Sequence, residues 1–304
     1  MFSLCNKARC PLSQTVSFGY MHKTLLIILS AVLLSGCLQA LAVRSVGGIM
    51  DYGFEAFNEE GDLQLAREAL ASNLKLLEAL IKAEPENRRL LLLASQGYSA
   101  YTLAFVEDDS IERARGLYWR ARDYGMRILN QNSQVREAGI ELGSFRKALA
   151  TLSKDDIPAV FWAAFGWGSY INVSRSEPSA LADLPAVNAM MDFVLEKDPE
   201  YYYGGAHLFR GSILASTPAV LGGKPELARQ HFEQALSINE GKFLMSYVYY
   251  AKTYAVQVQD PEFFASLLKK VEDASLDVLP EARLSNAVAK RKASLLRQKM
   301  VELF

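Results

Sequence analysis

The segment Gly222–Lys242, GGKPELARQHFEQALSINEGK, has the residue spacing of one helix in a helical repeat. Ala228, Phe232 and Ala235 follow one another at intervals of four and three residues. That spacing places apolar side chains on one face of an α-helix. The preceding segment, YYGGAHLFRGSILAS, carries Gly211 at a position where a small residue lets a second helix approach closely. Together the two segments predict a helical hairpin of the tetratricopeptide type.

Weaker versions of this pattern occur on both sides of the hairpin. They lie in residues 61–87, 111–129 and 260–274, and glycine, proline or paired acidic residues separate them. The intervening segments are about 15–22 residues long, which suits helices of soluble proteins. Asn-Gly and Asp-Gly, the strongest hairpin signals, do not occur in the sequence. The sequence therefore predicts an all-α fold of irregular tetratricopeptide-repeat-like helical hairpins, stacked in a curved solenoid with a concave groove.

Acidic residues stand at several predicted helix starts. Asp109 with Glu112 has the spacing of a capping box. Asp198 and Asp260 each precede a proline, as an N-cap residue does before proline at the first helical position. The pair Asp108-Asp109 suits the positive end of a helix dipole, and we prefer this interpretation to acid–base catalysis.

Residues 21–37, MHKTLLIILSAVLLSGC, have the layout of a bacterial signal peptide. A positive head precedes a ten-residue apolar core, Leu25–Leu34, which is shorter than the roughly 20 residues that span a bilayer. The end of the segment, Leu-Ser-Gly-Cys, resembles the lipobox of bacterial lipoproteins, in which the signal is cut before an acylated cysteine. We therefore expect lipidation at Cys37, and the alternative is an ordinary secretory signal with a chance cysteine.

The first twenty residues, MFSLCNKARCPLSQTVSFGY, do not have the character of a signal. We expect translation to start at Met21, so that residues 1–36 combine a misassigned start with the signal peptide. Residues 37–304 would then form a single helical-repeat domain. Cys37 would be the one cysteine left, which excludes a disulfide framework.

Charge and motifs exclude several classes of function. The 304 residues include 33 basic and 34 acidic ones, and loss of Lys7, Arg9 and Lys23 with the signal leaves a net charge of −4, which argues against non-specific nucleic-acid binding. We find no phosphate-binding loop, dinucleotide fingerprint or hydrolase motif, so we expect no enzyme, catalytic residue or cofactor. His207 and His231 fall on different predicted helices without cysteine, so we expect no metal site either.

Two segments rich in aromatic residues and glycine are the best candidates for a ligand site. They are FWAAFGWGSYIN, residues 161–172, and YYYGGAHLFRG, residues 201–211. Rings with a few polar groups are typical of a small-molecule site, although core packing explains the same composition. The candidate ligand-binding residues are Trp162, Trp167, Tyr170, Tyr202, His207 and Arg210. For Arg210, a guanidinium that can bind a carboxylate at two points, the alternative is an ion pair within the fold.

The last segment, residues 280–304, carries six cationic residues beside a helical apolar face. We expect these charges to form a solvated face, with cations near the helix end favoured by the helix dipole. The alternative is a docking surface for an acidic partner or for lipid head groups.

The chain resembles the T-component family of TRAP transporters, often called TatT. The resemblance rests on the lipobox and on segments along nearly the whole chain after it, including SQGYSAYTLAFVEDD, KFLMSYVYYAKTYAV and PEARLSNAVAKRKASLL. Its most specific parts are Gly-Gly-Ala-His-Leu-Phe and Leu-Gly-Gly-Lys-Pro-Glu.

The resemblance implies a periplasm-facing lipoprotein that binds the periplasmic solute-binding component of a TRAP transporter. It further implies a homo-oligomer, with trimers proposed, and a cleft or pore that holds a small hydrophobic ligand. Leu38 rather than Asp after the cysteine favours the outer membrane of a Gram-negative bacterium. The alternative function is a general scaffold lipoprotein for envelope complexes that has no ligand.

Overall fold

A computed structural model describes residues 52–216 and 223–304. Within these ranges the chain is helical and contains no strand, which confirms the all-α prediction. The predicted signal peptide, the start at Met21 and the lipidation site Cys37 lie outside the described residues and stay predictions.

The helices follow one another with short connections. They are α1 (52–58), α2 (Leu63–Ala83), α3 (Arg88–Phe105), α4 (Ile111–Leu129), α5 (Ser133–Ala138), α6 (Leu142–Leu149), α7 (Ile157–Val173), α8 (Pro178–Ala182), α9 (Leu184–Lys197), α10 (Tyr201–Ser216), α11 (Pro225–Ile238), α12 (Met245–Tyr249), α13 (Pro261–Asp273), α14 (Arg283–Gln298) and α15 (Met300–Leu303). A π-helical turn, Tyr250–Ala255, continues α12. No helix in the described ranges is both long enough and apolar enough to cross a bilayer.

Helix starts follow capping chemistry, but two of the predicted caps are wrong. Asp260 caps α13 and Pro261 is its first residue, as predicted. Ser110, not Asp109, is the N-cap of α4, because its hydroxyl accepts the backbone N–H of Arg113. Asp198 ends α9 and does not begin α10. Ser110 lies one residue after Asp109, and the non-helical turn at Tyr202, Tyr203 and Gly204 interrupts the helix predicted to start after Asp198.

Neighbouring helices along the chain pack against one another. α2 packs on α3, α3 on α4, α4 on α7, α7 on α9, α9 on α10 and α10 on α11. In the predicted hairpin of α10 and α11, a Cβ atom at Gly211 would lie 3.0 Å from the Phe232 ring. Glycine therefore allows the close approach of the two helices, and Ala228, Phe232 and Ala235 form the buried face of α11.

The last long helix returns to the start of the described chain. α14 packs on α13 and α12 and also contacts α2. The cationic run predicted as a solvated face is partly buried: Lys292 is 7% exposed and its ammonium lies 2.6 Å from a Glu107 carboxylate oxygen and 2.8 Å from Asp108. Arg291 adds a second ion pair to Asp108 at 3.2 Å. These ion pairs connect α14 to the turn between α3 and α4, so the helices close around an interior cavity.

Candidate functional site

The interior cavity has a volume of about 320 Å³. Six helical parts of the chain line it: α1, α3, α7, α10, α14 and the segment formed by α12 and the π-helical turn. Glu107, Arg175 and Phe243, which lie between helices, also line it. Most of the lining is aromatic or aliphatic, and α3 contributes small side chains such as Ala100 and Ala104. A predominantly apolar cavity with a few polar groups is the usual composition of a small-molecule site.

Four aromatic rings form one wall of the cavity. The Tyr202 ring centroid lies 5.5 Å from that of Phe161, 4.7 Å from that of Trp162 and 5.9 Å from that of Phe243. The contacts with Trp162 and Phe243 are edge-to-face, a favourable arrangement for aromatic pairs. The wall is therefore held in place by ring contacts between α7, the start of α10 and the segment before α12.

A left-handed turn places Tyr202 in this wall. Tyr202, Tyr203 and Gly204 have φ values of 49°, 60° and 78°. Two consecutive tyrosines in this region are unusual, because a side chain clashes with the backbone there. Two contacts hold the turn: Asn239 donates a side-chain hydrogen bond to the Tyr203 carbonyl at 3.1 Å, and Tyr203 stacks on Phe243 at 4.7 Å. Strain of this kind concentrates at functional sites.

Small residues along α7 allow its close packing on two neighbours. A Cβ at Gly125 in α4 would lie 2.6 Å from the Cβ of Ala163 in α7. A Cβ at Gly168 would lie 2.6 Å from the Phe209 ring of α10. Gly125 therefore allows α4 to approach α7, and Gly168 allows α7 to approach α10 beside the cavity wall.

The end of α12 and the π-helical turn after it place three side chains at the cavity. Tyr249 ends α12, and Lys252 and Thr253 lie within the turn; all three line the cavity. A π-helical segment shifts the register of side chains relative to an α-helix, and such segments are frequent at functional sites. The sequence carries no signal for this change of register.

One end of the cavity is charged and opens into a polar vestibule. Four residues, Glu107, Asn172, Arg175 and Lys252, line both the cavity and the vestibule. Desolvation by the surrounding protein is the largest influence on the pKa of Arg175 and of Lys252, and it lowers both pKa values. For Lys252, Glu107 opposes this effect and raises the pKa.

Two of the six predicted site residues, Trp162 and Tyr202, line the cavity. The others do not. Trp167 is fully buried, and its indole N–H donates to Asp183 at 3.2 Å. Tyr170 packs edge-on against Trp119 with 4.9 Å between ring centroids. These two rings belong to the packing between helices, the alternative explanation of the aromatic composition.

His207 and Arg210 lie on a different side of α10 from the cavity lining. The two histidines, treated as separate by the sequence, are paired: the Nδ1 atoms of His207 and His231 are 2.9 Å apart. Arg210 donates to the Asn188 side chain at 3.1 Å and forms an ion pair with Asp192 at 3.2 Å. The structure thus favours the alternative for Arg210, an ion pair within the fold.

Sequence reasoning missed the charged end of the cavity. Arg175 follows the end of α7, three residues after the aromatic segment 161–172, and Lys252 lies in a segment noted only for family resemblance. Neither position has a motif around it. The fold alone brings these two cations to the same opening.

The comparisons with known proteins agree with the resemblance in the sequence. The search of curated proteins gives no match. The family model described as TRAP transporter T-component matches residues 59–304, which include every element that lines the cavity except α1. A match over this much of the chain establishes that the protein belongs to the TRAP transporter T-component family.

Proposed function

We propose that this family member is an accessory of a TRAP-type solute uptake system that docks the periplasmic solute-binding component and holds a small hydrophobic or organic-acid ligand in its cavity. Membership of the T-component family supports the connection to a TRAP transporter. The cavity is the observation that carries the ligand-holding role. Its volume of about 320 Å³ falls at the lower end of the roughly 300–1,000 Å³ typical of ligand pockets.

Trp162 and Tyr202 are the sequence-derived candidates that we retain as ligand contacts. Both line the cavity, and Tyr202 is held there by the left-handed turn. The proposal does not include four other candidates as ligand contacts, because their described contacts lie outside the cavity: Trp167, Tyr170, His207 and Arg210.

The location and assembly belong to the same proposal. A lipid on Cys37 would anchor the protein to the outer membrane, with the protein facing the periplasm. The chain would assemble into a homo-oligomer such as a trimer. The order of helix contacts from α2 to α11 supports a tetratricopeptide-like stacking, and the contact between α14 and α2 supports a closed rather than an open arrangement.

Native mass spectrometry of full-length protein released from its own membranes tests this function. We expect a retained small molecule and an oligomer mass in the same spectrum. Ala100→Phe places a ring in the cavity and should abolish retention, whereas Leu92→Phe, on the same helix but not lining the cavity, should leave it unchanged. Calorimetry with the solute-binding component should show binding by the wild-type protein.

Two results would count against the proposal. Equal retention by Ala100→Phe and Leu92→Phe would show that the cavity is not the ligand site. Absence of both a retained molecule and binding to the solute-binding component would favour the scaffold function.

A further inference from the structure

Two cations at the charged end of the cavity have no ionic partner within the described part of the chain. Arg175 and Lys252 each line both the cavity and the vestibule. No described carboxylate oxygen lies within 4.0 Å of either side-chain cation, whereas Arg115, in the same vestibule, lies 2.6 Å from Glu177. Arg175 and Lys252 are therefore the available positive charges at this opening.

The acidic residues of the vestibule are already occupied by other cations. The Glu107 carboxylate forms an ion pair with the Lys292 ammonium at 2.6 Å and also accepts a hydrogen bond from the Tyr118 hydroxyl. Asp108 pairs with Lys292 at 2.8 Å and with Arg291 at 3.2 Å. Two carboxylates thus face two cations from α14, and the charges of Arg175 and Lys252 are in excess.

Arg175 and Lys252 have exposed side chains that line the opening, so an anion can reach both of them. Desolvation by the surrounding protein lowers the pKa of the Arg175 guanidinium and of the Lys252 ammonium, which means that the surroundings disfavour the charged forms. A cation whose pKa is lowered in this way gains from a nearby counter-ion. An anion entering from outside would supply the missing counter-ion.

We propose that Arg175 and Lys252 bind the acidic head group of an amphipathic ligand whose apolar tail lies along the aromatic wall of Phe161, Trp162 and Tyr202. This inference rests on the ligand-holding role proposed above and assigns its chemistry. A guanidinium and an ammonium together suit a carboxylate or phosphate oxygen pair, and the guanidinium can bind it in a two-point manner. The Asn172 amide, which lines the same opening, supplies a further donor.

Calorimetric titration of full-length protein, after removal of bound molecules on a hydrophobic resin, tests the head-group assignment. The probes are decanoate, decyl phosphate, methyl decanoate and decylamine, which share the tail and differ at the head. We expect the two acids to bind roughly 10- to 100-fold more tightly than the ester, and the amine more weakly still. The tighter of the two acids identifies the head group as carboxylate or phosphate.

Variants separate ligand binding from folding. Lys252→Gln and Arg175→Gln should each lower the affinity for the acids roughly 10-fold or more and leave the affinity for methyl decanoate unchanged. Lys252→Arg should retain most of the affinity. The melting temperature of the ligand-free Gln variants should stay about the same, because both side chains are exposed and make no described ion pair. Lys82→Gln, on α2 and away from the cavity lining, is the matched control.

Equal binding of the acids and the ester, or Gln variants that bind the acids as the wild type does, would overturn the head-group assignment. So would failure of both acids to bind. The ligand-holding role is judged separately, by whether Ala100→Phe loses the molecule retained in native mass spectra. A retained neutral molecule would thus remove this inference and leave the proposed function standing.

Discussion

At the scale of single residues, backbone conformation decides the form of the aromatic wall. Tyr202, Tyr203 and Gly204 turn the chain in the left-handed sense within the first turn of α10. Gly204 also lies against α11, where a Cβ atom would come within 3.2 Å of the Ala235 Cα atom. Glycine is required there both for its φ of 78° and for the lack of space.

Gly204→Ala should therefore lower the free energy of unfolding by about 1–2 kcal/mol or more, since an L-residue is strained in this region. Gly116→Ala is the control, because Gly116 lies in the middle of α4 and an added Cβ meets nothing within 4 Å. That change should raise the free energy of unfolding by about 0.5–1 kcal/mol. Urea denaturation measures both. A Gly204→Ala protein as stable as the wild type would show that the left-handed turn is misplaced.

At the scale of secondary-structure elements, the interface of α10 and α11 contains a pH-sensitive pair. His207 and His231 share one Nδ1–H···Nδ1 contact at 2.9 Å, which requires at least one neutral ring. Burial, and then the charge of His231, lowers the pKa of His207 to about 4. Burial, and then Arg210, lowers the pKa of His231 as well. The native fold thus favours the neutral form of both rings.

The two histidines should make the protein less stable as the pH falls from about 6.5 towards 4. In this window the unfolded chain binds protons that the native pair does not, so the free energy of unfolding decreases by at most about 1.4 kcal/mol per pH unit for each proton. Above this window the contribution is fully present. We expect His231→Gln to reduce the difference in melting temperature between pH 7 and pH 5.

The third histidine, His22, lies in the predicted signal peptide, so His207 and His231 are the two histidines of the predicted mature protein. If His231→Gln keeps the full pH dependence, other groups must account for it.

At the scale of the whole molecule, ion pairs between distant parts of the sequence close the helices around the cavity. Lys292 in α14 contacts Glu107 and Asp108, which are 185 and 184 residues earlier in the chain. The Lys292 and Glu107 side chains are 8% and 12% exposed, so water screens their interaction weakly. Removing one partner of a buried pair leaves an uncompensated charge, which destabilises a protein more than loss of a surface pair.

Lys292→Met should accordingly lower the free energy of unfolding by about 3–5 kcal/mol. Lys299→Met, near the exposed end of the same segment, should change it by less than about 0.5 kcal/mol. Urea denaturation compares the two variants. Similar stabilities would mean that the contact between α14 and the turn after α3 contributes little to closure.

The sequence by itself determined the helical class, the buried faces and the family. Apolar residues repeat with helical periodicity in α2 and α11, and Ala66, Leu70 and Leu74 are buried as that periodicity predicts. Periodicity is a local property, so it can be read without knowing which helices become neighbours. For the same reason the sequence could name Trp162 and Tyr202, which lie in compact aromatic segments, as candidate contacts.

The tertiary structure alone decided which side chains share the cavity. Arg175 is far in sequence from Phe243 and Lys252, and none of the three carries a motif. They meet only because α7, α12 and the π-helical turn surround one space. The pairing of His207 with His231 and of Lys292 with Glu107 likewise depends on which helix faces which. Helical periodicity fixes the direction of a side chain relative to its own helix, whereas its neighbour across an interface depends on the packing of the whole chain.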